Sequence, residues 1–239
     1  MSSTTEKTFL VCHGAWSGGW SWKKMVPLMQ AAGHRLIVPT YTGLGERAHL
    51  ANVSIDLETH IQDILSVIKY EDLHDIVLLG HSYGGMVATG VADRVPDRIN
   101  QVIYLDAFVP DNGQCLLDFL SEFERQRMRE LAKGGDAWRV PPNPSAPDTP
   151  PEDLDWLTER RMPMPLKCFQ MGVRLRNGGT KLPRSYIYAK RITPADTFGQ
   201  FAALAKDAPG WRYFEIDASH APNITAPDAL MKLLQEIIA

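Results

Sequence analysis

The chain has 239 residues, of which 44% are hydrophobic and 22% charged, and its formal net charge is −3. This composition is typical of globular proteins, and no run of like charges indicates a nucleic-acid-binding arm or a membrane-surface patch. No apolar stretch approaches the length of a membrane-spanning helix, and the polar start of the chain argues against a secretory signal. Three widely spaced cysteines, Cys12, Cys115 and Cys168, predict no disulfide framework. We therefore expect a cytoplasmic protein that binds neither nucleic acid nor membrane.

Short apolar runs alternate with amphipathic segments over both ends of the chain. The predicted strands and helices are, in order, strand 8–12, helix 22–32, strand 35–39, helix 56–69, strand 76–80, helix 83–94, strand 99–105, strand 184–189, helix 196–206, strand 211–216 and helix 227–238. Asp56 is placed to cap the second of these helices. Continuously apolar strands that alternate with helices predict an α/β fold, with a mostly parallel sheet covered by helices on both faces.

The alternation stops between residues 108 and 183. Helical segments are predicted there over 116–133, 152–161 and 166–176, and a proline-rich link, 141–151, joins the first two. A structureless loop of about 75 residues is rare, so we interpret the stretch as a helical cap and not as a loop excursion. The resulting division is a core of residues 1–107 and 184–239 and a cap of residues 108–183, within one structural domain.

Residues 80–84 form the motif Gly-His-Ser-Tyr-Gly, which has the pattern Gly-x-Ser-x-Gly. A predicted strand runs directly into the motif and a predicted helix directly out of it. This is the setting in which such a turn presents a nucleophilic serine. The alternative is a glycine-rich turn with an incidental serine. We predict Ser82 as the nucleophile, and we interpret the adjacent His81 as a buried structural residue because neighbouring side chains at such a turn point in different directions.

A nucleophile that attacks an acyl group needs two N–H donors for the oxyanion that forms. One donor is expected from the residue after the nucleophile, Tyr83, and the other from the loop after the first strand. That loop reads HGAWSGGW over residues 13–20, and its glycines expose backbone. We assign the second donor to the N–H of Ala15, the alternative being a merely tight glycine turn.

The catalytic base should be the last histidine in the chain, as this kind of strand–turn–helix hydrolase requires. Only His220 lies just beyond the final predicted strand. We interpret His34, His60 and His74, which lie in or beside predicted helices, as surface groups. His49 is on a loop where it could line the pocket.

The acid that orients the base has two candidate positions. Asp106 ends the apolar run 99–105, next to the predicted nucleophile strand, and a carboxylate at such a place needs a partner because burying it alone is costly. Asp196 follows the penultimate strand at some distance and resembles the start of a helix. We favour Asp106, whose charge would stabilise the imidazolium and fix its tautomer.

Aromatic residues are candidates to line an apolar pocket between sheet and cap. We assign substrate binding to Trp16, Phe108, Trp138 and Trp156, the alternative for each being packing within the cap itself. As a group they favour a hydrophobic small-molecule substrate. Because the sequence holds no HExxH pair and no Walker loop, we expect neither a metal nor another cofactor. The oligomeric state stays open, a homodimer included.

The loop HGAWSGGW, the elbow GHSYGG and the late histidine resemble a branch of the α/β-hydrolases that contains plant methyl-salicylate esterases and hydroxynitrile lyases. Residues 42–47, TGLGER, resemble bacterial members that hydrolyse pesticide esters and carbamates. The resemblance covers residues 8–110 and 184–238 and is weak in the cap. Plant members carry an aspartate soon after the penultimate strand, where this chain has Lys190 and Arg191. Relatives of the haloalkane dehalogenase type instead carry their acid at the position of Asp106.

The resemblance and the motifs together imply an α/β-hydrolase fold and hydrolysis of a small carboxylic ester, or a related acyl bond, through an acyl-Ser82 intermediate. One alternative is a lyase that cleaves cyanohydrins, which the resemblance disfavours because hydroxynitrile lyases carry Thr-Ile where this chain has Gly14 and Ala15. The other is a non-catalytic binding protein that reuses the fold. The choice between ester, amide and carbamate stays open.

Overall fold

The computed structural model describes residues 6–191 and 196–239. Its strands are β1 (Thr8–Cys12), β2 (Arg35–Ile37), β3 (Ile76–His81), β4 (Ile99–Leu105), β5 (Arg139–Val140), β6 (Met164–Pro165), β7 (Arg184–Ala189) and β8 (Trp211–Ile216). Six of them form one sheet in the order β2-β1-β3-β4-β7-β8, with every neighbouring pair parallel. The remaining two, β5 and β6, pair antiparallel in the cap. The predicted parallel sheet is confirmed.

The α-helices are α1 (Met25–Ala31), α2 (Leu57–Tyr70), α3 (Gly84–Arg94), α4 (Glu122–Lys133), α5 (Pro151–Arg160), α6 (Lys167–Gln170), α7 (Gly199–Asp207), α8 (Pro222–Thr225) and α9 (Pro227–Ile238). Short 3₁₀ helices occupy Gly19–Trp22, Gly45–Leu50, Pro96–Arg98 and Leu116–Phe119. Within the two described ranges, no helix is long and apolar enough to cross a lipid bilayer.

Two apolar cores lie on opposite faces of the sheet, because successive side chains of a strand point to opposite sides. In β3, Ile76 and Leu78 belong to the core that includes residues of α2, α3, α7 and the cap. Val77 and Leu79 belong to the core that includes residues of α1 and α9. The central strands are therefore covered on both sides, and their carboxyl ends are left to carry polar side chains.

Helix α2 begins where the sequence predicts. The Asp56 carboxylate accepts a hydrogen bond from the Thr59 amide at 3.0 Å, and the two residues form a reciprocal capping box. Such caps satisfy backbone N–H groups that the first turn leaves without a partner. The predicted helix 22–32 differs more, because its first residues form the 3₁₀ turn Gly19–Trp22 and α1 begins at Met25.

Residues 108–183, the predicted cap, depart from the predicted helices at two places and add the unpredicted strand pair β5–β6. The single helix predicted over 116–133 is split, because Ser121 caps α4 by a capping box with Glu124. The helix predicted over 166–176 ends at Gln170. There the Val173 amide donates to the Gln114 carbonyl at 2.9 Å, and the Gly113 amide donates to the Val173 carbonyl at 2.8 Å. These tertiary hydrogen bonds replace the helical ones.

Candidate active site

Ser82 lies at a sharp bend between β3 and α3. Its φ of +56° is in the left-handed region, which non-glycine residues rarely adopt and which is found most often at functional sites. The bend needs glycine nearby: a Cβ on Gly84 would collide with the Cys12 carbonyl, and one on Gly80 would lie 2.9 Å from the Gly84 carbonyl oxygen. Glycine at position 84 therefore lets the bend pass close to β1, and glycine at position 80 lets β3 and the start of α3 lie close together.

The hydroxyl of Ser82 meets the imidazole of His220, which follows β8. The Ser82 Oγ lies 2.9 Å from His220 Nε2, and the His220 Nδ1 lies 2.7 Å from the Asp106 carboxylate. Because an ionised carboxylate only accepts hydrogen bonds, Nδ1 carries the proton and Nε2 is free to accept the serine proton. The imidazole is 42% exposed, so its outer edge is open to a reactant.

Asp106 follows β4, the sheet neighbour of the serine strand. Its side chain is 5% exposed and accepts a second hydrogen bond from the Ala189 amide, at the end of β7, at 3.2 Å. Asp196 lies elsewhere: it is exposed and accepts from the Gly199 amide at 2.7 Å, at the start of α7. Of the two carboxylates weighed from the sequence, the structure brings Asp106 to His220.

Two backbone amides near Ser82, those of Ala15 and Tyr83, are the oxyanion-hole donors predicted from the sequence. The loop after β1 passes close to the serine, since a Cβ on Gly14 would lie 3.3 Å from the Ser82 Cβ. Within the described ranges, neither the Ala15 amide nor the Tyr83 amide donates a hydrogen bond to another protein group. Helix α3 begins directly behind the serine, and its N-terminus favours negative charge.

His81 is buried, as predicted, and it supports the base. Its Nε2 donates a hydrogen bond to the His220 carbonyl oxygen at 2.6 Å. Burial is the main reason that the pKa of His81 is lowered to about 3, and the nearby His220 adds to this. His81 is therefore neutral at physiological pH and fixes the backbone of His220 without placing a second positive charge beside it.

The prediction that His34 and His60 are surface groups is wrong. His34 is 5% exposed and His60 is fully buried in α2. His60 Nδ1 lies 2.9 Å from the Tyr83 hydroxyl, and its Nε2 lies 3.2 Å from the Thr42 carbonyl oxygen. His60 therefore holds the side chain of Tyr83, the residue that follows Ser82 in the chain. His60 lies three positions after Leu57, on the apolar stripe of α2. This position is the signal in the sequence that indicates a buried residue. His49, considered for the pocket, is exposed.

An aromatic cluster lies against the base. The ring of Phe198 stacks on the His220 imidazole with the centroids 4.7 Å apart and the planes 11° apart. Phe108 contacts Phe198 edge to face at 5.0 Å and is almost fully buried, so it packs behind the site. Its amide donates to the Ser82 carbonyl at 3.2 Å. Sequence reasoning missed Phe198, because no local pattern distinguishes a phenylalanine that reaches the base only through the tertiary fold.

Trp16 connects the predicted oxyanion loop to the cap. Its indole N–H donates to the Val140 carbonyl oxygen in β5 at 2.9 Å, and its ring lies 5.6 Å from that of Phe169. The residue is half-buried.

The structure places Trp138 and Trp156 in other contacts. Trp156 packs edge to face on Trp20 at 5.1 Å and lies under the Lys23 ammonium group. Trp138 lies beside the Arg139 guanidinium, with 4.8 Å between that group and the ring centroid. Trp156 attaches the cap to the core, and Trp138 packs on the cap's own surface, because aromatic rings bind cations and other rings in this way. In the described ranges, no three His, Cys, Asp or Glu side chains converge as a metal site.

Known proteins with similar sequences indicate the family to which this chain belongs. The sequence profile described as the alpha/beta hydrolase family matches residues 9–233. The chain is 37% identical over 236 residues to a carbendazim-hydrolysing esterase from Nocardioides sp. (strain SG-4G), and the alignment covers 95% of this chain and 97% of that protein. It is 25% identical to pheophorbidase from Raphanus sativus, with 97% and 94% of the two chains aligned.

A solved structure shares the fold. It is an extracellular alpha/beta-hydrolase from a Paenibacillus species, with a TM-score of 0.83 and 23% sequence identity over 96% of this chain and 98% of that one. The profile match and the esterase relative together extend over nearly the whole sequence. The chain therefore belongs to the alpha/beta hydrolase family and is a hydrolase that acts on esters.

Proposed function

We propose that this hydrolase cleaves a small hydrophobic ester through a covalent acyl intermediate on Ser82. The observation that carries the proposal is the chain of contacts from Ser82 Oγ to His220 Nε2 at 2.9 Å and from His220 Nδ1 to Asp106 at 2.7 Å. A serine hydroxyl is a weak nucleophile until a neighbouring base removes its proton. An imidazole held in one tautomer by a carboxylate supplies that base.

In the acylation half of the reaction, Ser82 Oγ attacks the ester carbonyl carbon while its proton passes to His220 Nε2. The carbonyl oxygen becomes an oxyanion, which the Ala15 and Tyr83 amides stabilise by two hydrogen bonds. When the tetrahedral intermediate collapses, the bond from carbon to the alkoxy oxygen breaks. The imidazolium returns its proton to that oxygen, and an alcohol leaves.

In the deacylation half, water takes the place of the alcohol. His220 Nε2 removes one proton from the water as its oxygen attacks the acyl carbon, and the same two amides hold the second oxyanion. Collapse breaks the bond to Ser82 Oγ, which recovers its proton from the imidazolium. A carboxylic acid is released, and the enzyme returns to its starting state without a cofactor.

A hydrophobic substrate is supported by the side chains around the reacting groups. Phe198 covers one face of the base, and the half-buried Trp16 lies on the loop that carries the proposed oxyanion donor Ala15. Apolar walls with a few convergent polar groups are typical of small-molecule sites. Trp138 and Trp156 are not part of this proposal, because their contacts lie elsewhere.

The test is hydrolysis of short-chain p-nitrophenyl esters by the purified protein. We expect release of p-nitrophenol by the wild type and a loss of roughly 10⁶-fold in kcat in Ser82→Ala. The control is Ser54→Ala, an exposed serine on the loop before α2, which should keep wild-type activity. A fluorophosphonate probe should label wild type and Ser54→Ala, and a Ser82→Ala variant that stays active or labelled would overturn the proposal.

A carbamate is the second candidate substrate class, supported by the relative that is named for carbendazim hydrolysis. A carbamate presents the same acyl carbon to Ser82, and the same two half-reactions apply. Incubation with carbendazim, followed by chromatography of the products, distinguishes the classes. Turnover of carbendazim would extend the proposal to carbamates, and turnover of esters alone would restrict it. Cyanide release from mandelonitrile would favour the lyase alternative.

A cytoplasmic site of action stays a prediction. What supports it is the state of the three cysteines: Cys12, Cys115 and Cys168 are all free thiols in the structure. Disulfides are common in oxidising compartments and rare in the cytosol.

A further inference from the structure

One side chain of the cap contacts the segment that carries the base. Asp148 lies in the proline-rich link before α5, and its Oδ2 accepts a hydrogen bond from the Ser219 amide at 3.0 Å. Its other carboxylate oxygen accepts from the Ser219 hydroxyl. Ser219 is 2% exposed, and the Asp148 carboxylate is 20% exposed. Charge-assisted hydrogen bonds in such a shielded place are stronger than those at the surface.

The position of His220 therefore depends on contacts at both ends of a two-residue segment. At one end, Asp148 binds the Ser219 amide and hydroxyl. At the other end, His81 Nε2 donates to the His220 carbonyl oxygen at 2.6 Å. The His81 contact comes from the core, whereas the Asp148 contact comes from the cap. Together with the hydrogen bond from the Arg191 amide to the Ala218 carbonyl at 3.0 Å, these two contacts hold the backbone from which the imidazole projects towards Ser82.

The surface ion pairs nearby are weaker candidates for holding the backbone of His220 in place. Arg191 pairs with Asp217 at 3.0 Å and, at 3.7 Å, with Asp148, but the side chains of Arg191 and Asp217 are both more than half exposed. Exposed pairs of this kind contribute little because water and salt screen them. Asp148 is the better candidate because it binds the residue adjacent to His220 and is itself shielded.

The position of Asp148 in turn depends on how the cap packs. Helix α5 begins three residues later, and its Asp153 pairs with Lys24 of the core. One turn further on, Trp156 packs on Trp20. A cap that moved away from the core would take Asp148 with it and leave the Ser219 amide and hydroxyl without their acceptor.

We propose that Asp148 is a positioning residue through which the cap holds the catalytic base in register with Ser82. The inference rests on the proposed function, in which His220 transfers the proton. Asp148 does not touch the reacting atoms; it sets the backbone at Ser219, and the backbone sets the imidazole. The base is therefore fully ordered only when the cap is packed against the core.

The test compares variants at the two ends of this contact. In Asp148→Ala we expect kcat for a p-nitrophenyl ester to fall about 10- to 100-fold with little change in KM, because small misplacements of a catalytic group have effects of this size. The rate of fluorophosphonate labelling should fall by the same factor. That probe is small and reports on the serine and its base, so a loss of substrate contacts in the cap would not slow it.

Asp148→Asn is the conservative variant and should keep kcat within about threefold of wild type. Its amide oxygen can accept from the Ser219 N–H, and its NH₂ group can donate to the Ser219 hydroxyl, so both contacts survive without the charge. Ser219→Ala removes the hydroxyl contact and keeps the amide one, and it should lower kcat by an intermediate factor. This variant decides the question if Asp148→Ala fails to fold. Asp155→Ala, an exposed acid of the cap, is the matched control and should match wild type.

Two outcomes would overturn the inference: wild-type kcat and labelling rates in folded Asp148→Ala and Ser219→Ala, or a rise in KM alone. The second would mean that Asp148 only fastens the cap over the substrate. Failure of the proposed function is distinguishable, because it requires Ser82→Ala or His220→Ala to stay active. If those two variants are inactive while Asp148→Ala is unaffected, only the inference about Asp148 is wrong.

Discussion

The core and the cap contribute to the active site in different ways. The core supplies the proposed reacting groups from the ends of its strands: Ser82 after β3, Asp106 after β4 and His220 after β8. The cap supplies single side-chain contacts, such as that of Asp148 with Ser219. The topology of the parallel sheet thus brings the proposed reacting groups to one edge, whereas the proposed role of Asp148 makes the orientation of one of them depend on residues outside the sheet.

The largest effect is expected when the proposed catalytic acid of the core, Asp106, is replaced. In Asp106→Asn we expect kcat to fall about 10⁴-fold with the fold intact, because an amide in place of the carboxylate favours the wrong tautomer of His220. Asp196→Asn is the matched control and should behave as wild type, since the contacts of Asp196 are with the Gly199 amide and the Tyr188 side chain and not with His220. Ester hydrolysis rates measure both variants. A large loss in Asp196→Asn instead would show that the acid follows β7.

Low pH should destabilise the core more than the cap. All seven histidines lie in the core, outside residues 108–183, and several of them are buried. Burial lowers the pKa of His13 and His60 to about 4 and that of His81 to about 3, from an ordinary value of 6.5. Between pH 6.5 and 4, the unfolded chain binds protons that the folded core excludes, so stability falls as the pH is lowered through this range. These three groups contribute at most about 4 kcal/mol per pH unit to the slope, and His34, whose pKa is also lowered by burial, adds to it.

Urea unfolding at several pH values between 7 and 4.5 measures this slope. His60→Gln should reduce the slope by up to about 1.4 kcal/mol per pH unit, the contribution of one such group. His74→Gln replaces an exposed histidine and serves as the control. An identical slope in wild type and His60→Gln would contradict the assignment of acid sensitivity to buried core histidines.

The attachment of the cap should depend on the ion pair between Asp153 and Lys24. The Asp153 carboxylate is 7% exposed, so Asp153→Ala leaves the Lys24 ammonium with only the Ile224 carbonyl as its described acceptor. We expect a loss of about 2 kcal/mol in the free energy of unfolding. Thermal or urea unfolding measures it, with Asp155→Ala on the same helix as the control. Equal losses in both variants would mean that the pair does not fasten the cap.

The smallest expected effect is at the start of α4. Ser121 accepts from the Glu124 amide at 3.2 Å, and removal of such a cap costs about 1 kcal/mol. Ser121→Ala should therefore lower stability by that amount, whereas Ser121→Asp should leave it nearly unchanged. Urea unfolding of the two variants provides the measurement, and a Ser121→Asp variant as unstable as Ser121→Ala would contradict the capping role.

The core was largely predictable because its strands are continuous apolar runs, and β1, β4, β7 and β8 begin and end where the sequence indicates. The Gly-x-Ser-x-Gly motif and the late histidine also have fixed places in such a sheet. The prediction for His60 is wrong because it follows the polarity of the imidazole, whereas the position of the residue on the apolar stripe of α2 indicates burial. The partner that makes its burial tolerable, the Tyr83 hydroxyl, comes from another element and has no local signal.

The cap was less predictable because its structure is decided by contacts between distant segments. The division of the helix predicted over 116–133 had a signal, since Ser121 and Glu124 have the spacing of a capping box. The end of α6 had none, because backbone bonds between Val173 and residues 113–114 replace a helical turn there. Trp138 and Trp156 are of a residue type that often lines pockets. In the structure, however, Trp138 packs on the Arg139 guanidinium, and Trp156 packs on Trp20 and Lys23.

The bend at Ser82 also restricts which amino acids could serve as the proposed nucleophile. A left-handed backbone is tolerated by an unbranched side chain and is a severe outlier for one with two substituents on Cβ. Cysteine could therefore occupy the position with its thiol where the hydroxyl now is, whereas threonine would force the turn open. Evolution and protein engineering can exchange oxygen for sulfur at this enzyme's centre, but they cannot add a methyl group beside it.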